Sequence, residues 1–452
     1  MRFRLVDRLA GWMAFVALVA VSAPLAEAGG LIRAPAVGGV YIDAEGVVTA
    51  PPVEGNEALR RTWQMGLDPL PADMEPLVDQ RFVSLRGLEE RLAKAVADGE
   101  PVPDEVRYLA GLLRVKNVLV YPPKDGKPGD IVLVGPAEGW RVDALGNTVG
   151  ATTGRPVLML DDLVVALRAG EESNGPGISC SIDPTPEGLA RSRKVTRSLT
   201  AADGPLRAAR KLEQAFGRQK VSIGGVPATS HFARTLVAAD FRMKRLAMGF
   251  EPSPVDGLPS YLETLNPRGV QNNVLPRWWL AANYEPLARD AEGLAWEIRG
   301  QGVKFQAEED FVASNGEITR GAGKANDATR WAEKMTAKFE ELADYDSAFG
   351  HVRNAFDLSV VAALLEMQDL WNVSGIETPQ LSAEFQPEQY NVPRQVATQA
   401  TFLKRGGKWV ITASGGAQIF PWQVADREVE DESLGKLHAE TATASADTWW
   451  WQ

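Results

Sequence analysis

Residues 230–250 read SHFARTLVAADFRMKRLAMGF, bracketed by Gly224-Gly225-Val226-Pro227 before and Glu251-Pro252-Ser253-Pro254 after. The brackets are turn chemistry, so a helix is expected to start at Ser230 as N-cap and stop near Gly249. At about 100° per residue, Phe232, Leu236, Met243, Leu246, Ala247 and Phe250 share one face. Val237, Phe241 and Met248 form a second apolar strip roughly opposite. A helix apolar on two sides is buried on two sides, so chain from before and after it must pack on it. Asp240 falls in the seam between the strips, where an unpaired carboxylate is costly.

The chain opens with Arg2, Arg4 and Arg8, a short apolar run at 11–23 and the small-x-small pattern Ala26-Glu27-Ala28. That order is expected of an export signal occupying residues 1–28 and cleaved before Gly29. The run is too short to span a bilayer comfortably, and no other stretch has transmembrane length. The expected mature protein is therefore exported, periplasmic or extracellular, with no integral membrane segment. Removing the signal takes the net charge from −11 to −12. Such acidity disfavours nucleic acid, whose binding releases counterions to Lys and Arg, and it disfavours anionic membrane surfaces. Cys180 is the single cysteine, so no intrachain disulfide can form and hydrophobic burial must hold the fold. His231, His351 and His438 stand far apart with no zinc spacing, so neither metal nor cofactor is expected.

The coarse pattern is α+β, with mixed strands, hairpins and packed helices around the buried 230–250 helix. Four segments are expected after the signal: an α+β region at 29–172, a helical middle region at 178–275, an α+β region at 276–424, and a disordered acidic tail at 425–452. The first region holds an internal echo, Asp43-Ala44-Glu45-Gly46 and Asp143-Ala144-Leu145-Gly146, each after a β-branched residue. Turn mechanics account for both copies, since Asp bonds the backbone two residues on and Gly takes a positive φ. A calcium loop needs more oxygen ligands than each copy supplies. Helices are expected at 84–98, 103–113, 326–345 and 349–371. Strands are expected at 115–121, 131–135, 156–160, 178–183, 220–223, 294–299 and 303–307, with Gly300-Gln301-Gly302 turning between the last two. Gly415-Gly416 is read as another turn. Arg191, Arg193, Lys194 and Arg197 make the one dense basic patch. The acidic tail ends in Trp449-Trp450-Trp451-Gln452, read as a loose end or a docking peptide.

The sequence has no G-x-S-x-G and no phosphate loop; Gly321 to Lys324 is too short for one. A triad could draw on Ser414 or Ser230 with His231 and Asp240. Ser414 is more simply a strand end, and Ser230 a helix cap. Cys180 with His231 could form a reactive thiol pair, against the plainer reading of a small core residue. Asp161 with Asp162, or Glu308 with Glu309 and Asp310, could act as paired carboxylates, although adjacent acids more often cap and solvate. Asp240 is expected to pair structurally with Arg242, Lys244 or Arg277, the sharper reading being a binding or acid/base group in a pocket between the two halves.

The motif Ala239 to Gly249 (ADFRMKRLAMG) carries a resemblance, together with Arg277 to Trp279, Gly300 to Val303 and the helix pair around Trp331 to Met335 and Phe356 to Ala363. Through roughly residues 100–420 the chain resembles a group of exported, planctomycete-type bacterial proteins that share a domain of unknown function. The resemblance implies export and a shared architecture. It brings no activity, cofactor or catalytic residue. The expected function is a non-catalytic binding or assembly role in the cell envelope, with an envelope protein or ligand as partner. The alternative is a secreted hydrolase with a non-standard site near Asp240 and His231.

Overall fold

The computed structural model describes residues 39–50, 56–265, 274–312, 318–319, 326–403, 408–410, 414–441 and 448–452. The expected signal segment 1–28 lies outside them, as do the Gly321 to Lys324 stretch and Lys404-Arg405-Gly406-Gly407, whose turn chemistry predicts a hairpin between 394–403 and 408–413. A helix spans His231–Ala247, and the Ser230 side chain accepts the Ala233 N–H at its N-terminus. All but two of its residues are buried, Phe241 and Met243 alike, and Met248 beyond its end is 3% exposed. One side lies on the strands Ile178–Asp183 and Ser414–Ile419. The other meets the helices Leu160–Ala169 and Ser347–Met367. Burial of each large side chain such as Phe232 or Leu236 contributes roughly 1.5–3 kcal/mol, which fixes the helix between both layers. The Ser347–Met367 helix is buried continuously from Ala348 to Leu365 and shares the centre of the core with it.

The fold is α+β. One nine-stranded sheet runs in the order Tyr41–Ile42, Val47–Thr49, Gln395–Val396, Gln219–Gly224, Ile178–Asp183, Ser414–Ile419, Val274–Asn283, Gly302–Val312, Ile318–Thr319. A seven-stranded sheet orders Glu428–Glu430, Leu287–Arg289, Ala295–Glu297, Asn117–Tyr121, Asp130–Ala137, Val78–Ser84 and Trp450–Trp451. Both sheets mix strands from early, middle and late sequence, and Ala34–Gln452 forms one compact unit.

Both Asp-Ala-x-Gly copies are hairpin turns. Asp43 Oδ1 accepts from Glu45 N and Val47 N at 2.9 and 2.8 Å. Asp143 Oδ1 accepts from Leu145 N and Asn147 N, both at 2.8 Å. Gly46 and Gly146 take φ of +81° and +87°, a region closed to most side chains. Asn147 Nδ2 occupies the second Asp143 oxygen at 2.9 Å. Asp143→Ala is therefore expected to cost about 1–2 kcal/mol in urea unfolding, and added calcium is expected to leave the midpoint unchanged. A calcium-dependent midpoint would mean a metal loop instead.

Several local expectations are corrected. Residues 156–160 form no strand beyond the Val149–Pro156 bridge. The helix expected at 103–113 is short, Asp104–Arg107, because Leu109 and Ala110 take positive φ and bend the chain. The 326–345 helix breaks at Lys338, and the 349–371 helix breaks at Asp369, where φ is +53°. Gly300 to Gly302 does not close a hairpin between its flanking strands, which belong to different sheets. The Val274–Asn283 strand instead pairs with Gly302–Val312, and residues 287–297 make an excursion into the other sheet. Gly415 and Gly416 sit inside a central strand rather than a turn. A Cβ there would lie 1.6 Å from Trp278 O or 1.9 Å from Cys180 O, so close approach of the neighbouring strands demands glycine.

The acidic tail is not disordered in its described residues. Glu428–Glu430 adds a parallel strand to Leu287–Arg289, Ser433–Thr441 is helical, and Trp450–Trp451 pairs antiparallel with Val83 and Phe82. Two of its acids are met by arginines, Glu428 by Arg289 at 3.3 Å and Asp431 by Arg299. The tryptophans dock within their own chain. Trp451 stacks on Phe82 at 5.5 Å, and Arg81 lies 5.2 Å from the Trp450 ring centroid.

Candidate functional site

Four sequence candidates (His231, Asp240, Ser414 and Cys180) fall into two separate polar clusters along the central helix. Asp240 and Lys244 stand one turn apart, with Lys244 Nζ 3.0 Å from Asp240 Oδ2. Nζ also donates to Ile182 O at 2.6 Å and to Gly415 O at 3.4 Å, so its three protons all point at oxygens. Asp240 is wholly buried. Burial pushes its carboxyl up to about 6, and Asp183 adds to this, although Lys244 opposes both. Desolvation therefore outweighs the ion pair. Arg242 instead bridges Asp346 at 2.6 Å and Glu251, and Arg277 lies 3.9 Å from Glu308.

Ser414 opens a strand rather than ending one, and its hydroxyl hydrogen-bonds to Asp183, not to a histidine. Cys180 is buried between the same strands, and burial pushes its thiol well up, leaving a small apolar core residue. The Ser414/His231/Asp240 triad and the Cys180–His231 pair are thus not assembled. Ser230 is the helix cap expected of it.

His231 belongs to the second cluster. Its Nδ1 lies 2.9 and 3.0 Å from the two Asp162 oxygens, both residues being buried. Asp162 and Asp161 sit in the first turn of Leu160–Ala169. They do not act as a carboxylate pair: Asp162 faces His231, while Asp161 accepts the Glu388 N–H at 3.1 Å. Glu308 meets Arg277, and the side chains of Glu309 and Asp310 lie outside the described residues. The His351 ring meets His231 edge-on at 5.5 Å, and Tyr390 approaches at 6.1 Å. Arg234 lies 4.9 Å from the Tyr390 ring centroid. Coil residues around 386–392 cover the cluster, with Tyr390 N donating to Thr229 O at 2.8 Å.

Burial works against a charged His231, but Asp162 more than offsets it and the imidazole is raised above its usual value. Burial pushes His351 down to about 3, assisted by the His231 charge. Burial pushes Asp161 up to about 6. Asp162 thus favours the charged form of His231, while burial and His231 disfavour it on His351. Chemically this is a buried imidazole oriented by a carboxylate that favours its charged form, a structural ion pair as it stands. Among the described residues, no serine or cysteine stands in hydrogen-bond contact with it. His351 and Tyr390 were not legible as members, since the three helices and the covering coil meet across more than a hundred residues of chain.

The His351 shift has a consequence for stability. Between pH 6.5 and 3 the unfolded chain binds a proton there that the folded chain does not, so stability falls as pH falls through that window. Asp161 and Asp240 act oppositely between 3.8 and about 6, where the folded state holds the extra proton. Comparison with His351→Asn isolates the histidine. The variant is expected to gain about 2 kcal/mol relative to the parent between pH 6.5 and 5 in denaturant unfolding. A pH-independent difference would show that His351 titrates normally.

Residues 180–261 match the family described as "Protein of unknown function (DUF1598)". The matched segment begins at Cys180 and holds Asp183, His231, Asp240 and Lys244. None of the curated proteins and none of the solved structures matches the chain. Among the described residues no helix is long and apolar enough to cross a membrane.

Proposed function

We propose that this chain is an exported protein that acts by binding or assembly in the cell envelope. The observation that carries the reading is the closure of Asp240, wholly buried and paired with Lys244. A carboxylate serving substrate in a cleft would need a path to solvent and a second functional group beside it. His231 and Ser414, the groups that would complete such a site, are each bound to a different carboxylate. Export is supported by the basic start, apolar run and Ala-x-Ala pattern of residues 1–28, and by the resemblance to exported planctomycete-type proteins.

The test joins two measurements on the intact protein. Cross-linking in the native envelope followed by mass spectrometry is expected to recover one reproducible partner. A panel of ester, peptide and glycoside substrates is expected to show no turnover that His231→Ala or Ser414→Ala removes. Turnover abolished by either substitution would replace the binding reading with a hydrolytic one.

A further inference from the structure

The helices Pro186–Ser198 and Gly204–Phe216 form a hairpin inserted between two adjacent antiparallel strands, Ile178–Asp183 and Gln219–Gly224. Its base is fastened by buried Leu189, Ala208, Leu212 and Phe216, and by Arg191 Nε donating to Ala215 O at 2.8 Å. Its tip is a tight turn in which Asp203 accepts from Thr200 N at 2.9 Å and meets Lys211 Nζ at 2.5 Å. The tip acid is therefore spent internally.

Charge is strongly segregated here. Residues 186–220 hold nine Lys and Arg against three acids, a net of +6, while the whole chain carries −11 and the remainder therefore −17. Lys194, Arg197, Arg207 and Arg210 are exposed and bridge to no acid among the described residues. In their midst Leu206 is 81% exposed, the most exposed large apolar side chain described. Burial, and to a lesser degree the neighbouring Arg197, lowers Arg193.

We propose that this helical arm docks the protein on an anionic lipid surface, with Leu206 entering the headgroup layer and Lys194, Arg197, Arg207 and Arg210 facing lipid phosphates. The pairing of an apolar tip with a basic collar is what an interfacial anchor requires, each cation near the surface adding attraction. A nucleic acid would gain nothing from Leu206. Distance resolves the conflict with the acidic remainder. A thirteen-residue helix is about 20 Å long, more than two Debye lengths of roughly 8 Å at physiological salt. A planar surface touching only the tip is thus screened from the −17 behind it. This inference stands independently of export and of the partner proposed above.

The test is co-sedimentation of the full chain with vesicles of phosphatidylglycerol mixed into phosphatidylcholine, against phosphatidylcholine alone. Binding is expected only to the anionic vesicles, weakening steeply with salt. Arg197→Glu/Arg207→Glu/Arg210→Glu is expected to lower the partition coefficient about a hundredfold, and Leu206→Asp about tenfold, with the unfolding midpoint unchanged in both. The proposal fails if anionic vesicles bring down no protein at low salt. It fails equally if both variants bind like the parent, or if duplex DNA or an acidic polypeptide competes the protein off the vesicles at equimolar charge.

Discussion

Lys244→Met is expected to destabilise the protein by about 3–5 kcal/mol at pH 7, because it strands a wholly buried carboxylate without its counter-charge. Asp240 is already pushed up to about 6 by burial with Lys244 in place. Removing the ammonium raises it further, so the folded variant takes up a proton that the unfolded chain, near 3.9, does not hold at neutral pH. The sign follows: the variant binds more protons folded than unfolded, and its deficit shrinks as pH falls below the raised value. Parent and variant should converge toward pH 5 and diverge toward pH 8 in urea unfolding. The double variant Asp240→Leu/Lys244→Met removes both charges and keeps similar volume, so it is expected to recover most of the loss. A pH-independent deficit, or no rescue in the double variant, would mean that Lys244 matters through its bonds to Ile182 O and Gly415 O rather than through Asp240.

That pair also shows what was legible in the chain. Lys244 lies four residues after Asp240, so helical periodicity alone brings them together, and Lys244 stood among the partners expected for it. The two-sided burial of residues 230–250 followed from the same periodicity, and the Asp43 and Asp143 turns followed from local hydrogen bonding. Each rests on contacts within a few residues. Where the reading failed, the deciding contact was distant. Gly415 and Gly416 look like turn residues until Trp278 and Cys180 close on either side of their strand. The tail looks unfoldable by composition until Arg289 and Arg299 pair with Glu428 and Asp431 and Phe82 and Arg81 receive its tryptophans. The alternative hydrolase reading places His231 and Asp240 in one site. Nine residues separate them, about 14 Å along the axis, so they serve different neighbours.

The second large effect is expected at Arg114, which joins early and late parts of the chain through one buried carboxylate. Its Nε and Nη2 grip the two Asp357 oxygens at 2.6 and 3.2 Å, and Nη2 also reaches Gly300 O at 2.9 Å. Tyr284 donates its hydroxyl to Asp357 Oδ1 at 2.7 Å. Burial alone would weaken the guanidinium's hold on its proton, yet Asp357 more than offsets it and the value is raised. Arg114→Met leaves Asp357 wholly buried with one neutral donor, so a loss of about 3–5 kcal/mol is expected. Arg114→Lys keeps the charge but cannot reproduce the fork, so it should recover only part of that loss. The cycle with Asp357→Leu should show strong coupling, the double variant being more stable than the sum of the single effects. The form of the transition carries as much information as its midpoint. Arg114 lies just before the Asn117–Tyr121 strand and Asp357 in the middle of the long Ser347–Met367 helix. If these regions unfold as one, Arg114→Met shifts a single cooperative transition seen identically by tryptophan fluorescence and far-UV circular dichroism. Separation into two transitions, only one of which moves, would show that residues 29–172 fold apart from the rest and that the Arg114–Asp357 contact joins two independent bodies.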